Sequence, residues 1–135
     1  PNILAKKALA GTDASVPIRL DDDGYVTEAA GTNVFVVNGE TVLTPREQRI
    51  LAGTTRATVR ELLEAHDRFE PSATELTPYD LQTADECFVT GSIEGVKAIT
   101  HLDGEPIGSG EIGPATRNIN EQLAERLIET GTPIE

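Results

Sequence analysis

The chain predicts an α+β fold built on one strongly bent sheet. Three observations point there. Strand-like and helix-like segments mix without strict alternation, which disfavours a doubly wound parallel sheet. Three Asx-Gly turns at Asp23-Gly24, Asn38-Gly39 and Asp103-Gly104 each sit between β-rich stretches and mark hairpins. Only two long amphipathic segments read as helices.

In chain order, residues 2–10 read as the tail of a helix. Ile3, Leu4, Lys7 and Ala8 stand at helical spacing, and Gly11 supplies the stop. Residues 16–20 and 25–27 flank the first hairpin turn, residues 34–37 and 40–43 the second, and residues 97–100 and 105–107 the third. A helix opens at Thr54 or Thr55 and runs to about Ala65, with Val59, Leu62 and Leu63 on one face. Residues 69–76 read as a strand, residues 78–81 as a short helical turn, and residues 86–90 as a buried strand. The last helix opens near Gly113-Pro114, where proline suits a first turn. It carries Ile119, Leu123, Leu127 and Ile128 inward and closes at Gly131.

Bulk properties bound the function. At 135 residues the chain is one domain with enough apolar content, 38%, for a real core. A formal charge of -12 sets it against nucleic acid and anionic membrane, because a uniformly negative field repels both. Apolar runs are too short to span a bilayer. The single Cys87 forbids an internal disulfide and fits a reducing, cytoplasmic setting. The chain starts Pro-Asn-Ile-Leu without an initiator Met, which reads as a fragment or processed product.

Three short stretches carry candidate chemistry. Glu28 follows the segment 25–27 and precedes the small run Ala29-Ala-Gly31, where a flat ring can approach the backbone. A carboxylate held against a pyridine nitrogen keeps that nitrogen protonated; a lone glutamate at a strand end is otherwise a solvated surface residue. Gly53-Thr54-Thr55-Arg56 opens a helix, whose free N–H groups and dipole accept an anion, or whose hydroxyls simply cap it. Val89-Thr-Gly-Ser92 ends a strand in a bend that can gather N–H and hydroxyl groups on a phosphate oxygen, or be an ordinary turn.

In order and spacing, Tyr25-Val-Thr-Glu-Ala-Ala-Gly-Thr-Asn-Val-Phe35, Leu51-Ala-Gly-Thr-Thr-Arg56 and Phe88-Val-Thr-Gly-Ser-Ile93 resemble the C-terminal part of the fold-type IV (class IV) pyridoxal-phosphate enzymes. These include branched-chain and D-amino-acid aminotransferases and aminodeoxychorismate lyase. The resemblance implies a C-terminal cofactor-binding domain, a bent mixed sheet or pseudo-barrel with flanking helices, and pyridoxal 5'-phosphate as cofactor. It implies that Glu28 meets the ring nitrogen, that Thr54, Thr55, Gly91 and Ser92 hold the phosphate, and that Ile93 borders the substrate. The usual family form has Gly where Ala29 stands. The family's Schiff-base lysine and its N-terminal domain would fall before Pro1, leaving the isolated chain inactive. The parent would be a homodimeric transaminase acting on amino acids and 2-oxo acids, branched-chain-like. Ser92-Ile93 is similar to lyase-like and D-amino-acid-like relatives, so a lyase is the alternative reaction. A non-catalytic remnant serving as a binding domain is the alternative class.

Other residues carry less. Lys6 and Lys7 are placed on the first helix, beyond the family's lysine. His66 and His101 lack acidic or Cys neighbours at metal-ligand spacing. Asp21-Asp-Asp-Gly24 has no Glu closing a calcium loop and reads as a polar turn. Arg117 in the last helix reads as structural.

Overall fold

The structure, a computed structural model, describes residues 2–9, 12–29, 32–46, 54–65, 68–91 and 95–129. Nine strands and three helices follow in the order β1 (Asn2–Leu9), β2 (Thr12–Leu20), β3 (Val26–Ala29), β4 (Asn33–Asn38), β5 (Thr41–Pro45), α1 (Thr54–Ala65), β6 (Glu70–Thr74), α2 (Pro78–Gln82), β7 (Glu86–Gly91), β8 (Gly95–Leu102), β9 (Glu105–Pro106) and α3 (Pro114–Glu129). The sheet order is β3-β2-β1-β8-β7-β4-β5-β6, with β9 on β8. Every pairing is antiparallel except β5 with β6, which α1 connects as a crossover.

Sheet curvature follows from how its two ends meet. The Val26 amide of edge strand β3 donates to the Leu76 carbonyl, just past the opposite edge strand β6, at 2.7 Å. The sheet is therefore curled into a half-barrel. Its concave side holds one core, including Val16, Ile18, Val34, Val36, Cys87, Val89 and Ile99, closed by Leu76 and Leu81. The other face carries Phe35, Val37, Phe88 and Val96 beneath Val59 and Leu63 of α1 and Ile119 and Leu123 of α3. Phe35 and Phe88 stack across β4 and β7 with centroids 5.0 Å apart, an arrangement that adds roughly 0.5–1.5 kcal/mol beyond area burial. Strict alternation along β4, with Val34 and Val36 inward and Phe35 and Val37 outward, serves both cores at once.

The bent α+β sheet is as expected, but the first element is corrected. Residues 2–9 form strand β1, not a helix tail, so Lys6 and Lys7 lie on a strand. β1 is hydrogen-bonded on both sides, to β2 through eight register pairs and to β8 through four. The period is two: Ile3 and Ala5 pack on the concave core, while Leu4 is 57% exposed. Two flanking strands satisfy the backbone there, and that outweighs the helical propensity of Leu, Ala and Lys. A second correction falls in α3, where Ile128 is 75% exposed and not inward.

Turn chemistry agrees with the sequence. Asp103 (φ 49) and Gly104 (φ 83) form the two-residue loop between Leu102 and Glu105. In the β4–β5 hairpin the loop is Gly39-Glu40, one residue later than the Asn38-Gly39 dipeptide suggests, since Asn38 pairs with Thr41. The Gly39 amide donates to Asp85 Oδ2 at 2.7 Å, which favours that placement. Asp21 Oδ1 accepts from the amides of Asp23 (2.9 Å) and Tyr25 (3.0 Å), so its carboxylate shapes the turn.

The start of α3 is held by a residue 28 positions upstream of Pro114. Glu86, at the start of β7, accepts from the Ala115 amide (3.0 Å), the Thr116 amide (2.8 Å) and the Thr116 hydroxyl (2.8 Å). A carboxylate at a helix N-terminus satisfies orphan amides and meets the positive end of the dipole. Gly113 makes room for it, since a Cβ there would lie 2.2 Å from the Glu86 carboxyl carbon. We expect Glu86→Ala to cost about 2–3 kcal/mol, as charge-assisted bonds do when broken. Gly113→Ala should cost nearly as much by expelling the same carboxylate, and the double variant little more than either. Urea unfolding of the three variants checks this; additive losses would separate Gly113 from the cap.

Cys87 is fully buried, and burial pushes its thiol up to about 12. In the unfolded chain it ionises at about 8.5. Between those values the unfolded state binds fewer protons, so this thiol makes stability fall as pH rises through that window. At pH 8 the native chain should resist a thiol-specific chromogenic reagent and react fully only in denaturant. Rapid labelling without denaturant would contradict the burial.

Candidate active site

Four strand ends and one helix start share a corner of the sheet. β5 and β7 end where β4 and β8 begin, because β4 is antiparallel to both β5 and β7, and β7 to β8. The Thr44 hydroxyl at the end of β5 donates to the Val34 carbonyl at the start of β4 (2.7 Å). α1 begins at the same end: Arg56, in its first turn, donates from Nη2 to the Pro45 carbonyl at 3.3 Å. Its open N–H groups and positive dipole end therefore face this corner.

β3 brings Glu28 to it. Glu28 is half-buried between buried Thr27 and Ala29, and Thr27 Oγ1 is tied to the Arg19 carbonyl at 3.1 Å. Among the described residues the Glu28 carboxylate has no hydrogen-bond or ion-pair partner. Ala29 and Thr32 bridge through reciprocal amide–carbonyl bonds of 3.1 and 3.0 Å, and the Thr32 hydroxyl also donates to the Ala29 carbonyl. That bridge links β3 to β4. On its far side the Thr32 methyl packs against Gly91, where an added Cβ would come within 2.9 Å. Glycine at the end of β7 thus lets the β3–β4 connection lie against it.

The structure brings Glu28, Gly91, Thr54 and Thr55 to one end of the sheet. Thr54 and Thr55 are the first two residues of α1; their side chains, like Ser92 and Ile93, lie outside what the structure describes. Gly91 and Gly95, which flank Ser92 and Ile93, are register partners. Other candidates lie elsewhere. Lys6 and Lys7 are in β1, which runs beside β2 and the C-terminal half of β8. His101 is on β8 with Nδ1 3.0 Å from Thr100 Oγ1, Arg117 is exposed on α3, and His66 lies outside the described residues.

Sequence reasoning assigned no role to Asn33, Arg56 or Thr90. All three carry a buried polar atom without a hydrogen-bond partner: Asn33 Oδ1, Arg56 Nε and Thr90 Oγ1. Burial, and after it the charge of Arg60, hold the Arg56 guanidinium below its ordinary value, yet arginine stays cationic at neutral pH. A fixed positive charge and a helix N-terminus at this corner offset the negative field of the chain locally. A signal for Asn33 existed: it stands two residues before Phe35 and four before Val37, at the apolar parity of β4.

A cavity of about 300 Å³ opens beside the same strand, lined by Asp21, Asp23, Tyr25, Thr27, Arg46 and Glu75. Glu28 does not line it. The charge of Glu75, and next its hydrogen bond, raise the Tyr25 hydroxyl above its ordinary value. With three carboxylates against one arginine, this cavity repels a phosphate. The anion-accepting chemistry belongs to the α1 end.

A free carboxylate opposite a helix N-terminus and a glycine-ended strand suits a ligand with a cationic ring and an anionic tail. Comparison with known proteins bears on that arrangement. The amino-transferase class IV family matches residues 1–102. The chain is 38% identical over 133 residues to the branched-chain-amino-acid aminotransferase-like protein 1 of Arabidopsis thaliana, covering 98% of this chain and 24% of that one. It is 35% identical over 129 residues to the D-alanine aminotransferase of Bacillus licheniformis, covering 94% and 44%. The branched-chain amino acid aminotransferase from Escherichia coli superposes with a TM-score of 0.73 at 33% identity, over 86% of this chain and 39% of that one. The chain spans less than half the length of each of these relatives. Sheet and sequence agree, and the chain belongs to the amino-transferase class IV family.

Proposed function

We propose that this chain is the C-terminal, cofactor-binding part of a pyridoxal-phosphate-dependent aminotransferase acting on amino acids and 2-oxo acids, branched-chain-like in substrate. The observation that carries the reading is the Glu28 carboxylate, without a partner among the described residues, at the corner where α1 starts and β7 ends at Gly91. The residues present fit the cofactor. Glu28 offers the anion that a pyridinium nitrogen needs. The first turn of α1, with Thr54 and Thr55, and the Gly91-Ser92 bend offer N–H groups and hydroxyls for a phosphate. Ile93 borders the substrate.

When bound, the cofactor supplies an electron sink for charge at the substrate α carbon. The chain's own part is electrostatic and positional. Glu28 keeps a proton on the ring nitrogen, and its lack of competing partners leaves the carboxylate available for that bond. Thr27, tied to Arg19, and Ala29, bridged to Thr32, fix the backbone on either side of Glu28. The α1 dipole and the half-buried Arg56 charge favour a dianion at the other end.

In this reading the N-terminal domain and the Schiff-base lysine come from sequence before Pro1, the working assembly is a homodimer, and the setting is cytoplasmic. The isolated 135-residue chain should then show no transaminase turnover, having no correctly placed amine to carry the cofactor covalently. Borohydride reduction with pyridoxal phosphate followed by peptide mapping checks this. Turnover together with an adduct on Lys6 or Lys7 would overturn the placement.

In the full-length enzyme carrying this chain, Glu28→Gln should preserve folding and lower kcat by about 10²–10³, the scale of removing one preorganised electrostatic contact. Steady-state kinetics on branched-chain amino acids, with cofactor occupancy followed by absorbance, give the answer. Near-normal turnover at full occupancy removes Glu28 from the site. A family member working as a lyase would instead release pyruvate from aminodeoxychorismate, and a binding remnant would take up no pyridoxal phosphate.

A further inference from the structure

Asn33 and Thr90 are direct register partners across β4 and β7, two residues beyond the stacked Phe35–Phe88 pair. They share that pair's face, under the helices. Asn33 is 1% exposed and Thr90 0%. Among the described residues neither Asn33 Oδ1 nor Thr90 Oγ1 has a hydrogen-bond partner. Their surroundings on this face are apolar: Phe35 and Phe88 lie to one side, and Val96 is the register partner of Thr90 on β8. Two facing, desolvated polar groups in such a setting oppose folding, since apolar side chains of the same shape would avoid the desolvation cost. Their position is the corner that holds the start of α1 and Gly91.

Stereochemistry limits what can satisfy them. Asn33 Oδ1 accepts only, so an anion cannot bind to it directly. Thr90 Oγ1 can donate. Facing side chains of an antiparallel pair have Cβ atoms about 4.5–5.5 Å apart, wide enough for one water between their tips. Such a water takes the Thr90 hydroxyl proton as acceptor, gives one hydrogen to Asn33 Oδ1, and keeps one hydrogen to give. Its one remaining donor suits an anion at the open end of the pair, on the α1 side.

We propose that Asn33 and Thr90 hold one buried water that donates to the cofactor phosphate, making them positioning residues beneath the phosphate cup. The inference rests on the cofactor reading above. It explains why two polar groups face each other at this register, next to apolar neighbours.

The test uses the apo form of the full-length enzyme and three proteins: wild type, Thr90→Val and Thr90→Ser. Affinities for pyridoxal phosphate and for unphosphorylated pyridoxal are measured by absorbance titration, and protection by inorganic phosphate by thermal unfolding. Thr90→Val should melt no lower than wild type without ligand. It should bind pyridoxal as wild type does, bind pyridoxal phosphate about tenfold more weakly, and lose most of the protection by phosphate, while Thr90→Ser restores both. Equal wild-type affinity for the two ligands would remove the phosphate site, and the cofactor reading with it. Wild-type discrimination retained in Thr90→Val would overturn the water alone. A crystal structure of the holoenzyme without an ordered water between the two side chains would do the same.

Discussion

The half-barrel depends on the two ends of one sheet path reaching each other. β3 and β6 are the terminal strands of the order, yet the Val26 amide meets the Leu76 carbonyl at 2.7 Å, and the Ala29–Thr32 bridge ties β3 back to the beginning of β4 in mid-sheet. Closure gives the edge strand a partner it would otherwise lack and encloses the concave core. It also sets the site. Without the curl, Glu28 would lie four strands from Gly91 along the path; with it, only Ala29 and Thr32 stand between them.

Two cores divide the labour. The concave one is mostly aliphatic and drawn from β1 to β5, β7 and β8, so it fixes curvature. The convex one is where Phe35 and Phe88 receive α1 and α3, so it fixes where helix ends fall. The two helix starts then meet different fates. Glu86 fills the N-terminus of α3 with a carboxylate from within the chain, in space opened by Gly113. α1 begins instead beside a half-buried arginine and two buried polar side chains that have no partner among the described residues. One helix start is closed by the chain itself, and the other is the one that the proposed function assigns to the cofactor phosphate.

A net charge of -12 disfavours an anion site unless its surroundings are locally different. The separation is visible along β3. Its beginning looks onto the acidic cavity of Asp21, Asp23 and Glu75, and its end carries Glu28 toward the corner of Arg56 and α1. Pyridoxal phosphate, cationic at the ring nitrogen and dianionic at the phosphate, matches that second arrangement and not the first.

Hairpins and both long helices were legible in the sequence because each rests on local chemistry, while Glu28, Thr54, Thr55 and Gly91 were singled out by the family resemblance and belong to the proposed site. A turn needs an Asx-Gly dipeptide, a helix needs a 3.6-residue apolar period, and the family resemblance rides on short contiguous motifs. What tertiary structure decided was everything that depends on a partner distant in the chain. Residues 2–9 have helix-forming side chains but are a strand, because β2 and β8 offer ladders on both sides. Ile128 has the right helical phase but stands exposed to solvent. Asn33 and Thr90 are ordinary residues in sequence, and only the β4–β7 register sets them face to face without partners. Backbone hydrogen bonding and burial are collective quantities, so a residue's own type decides its turn or helix period, while its neighbours in space decide its ladder, its exposure and whether its polar atoms are satisfied.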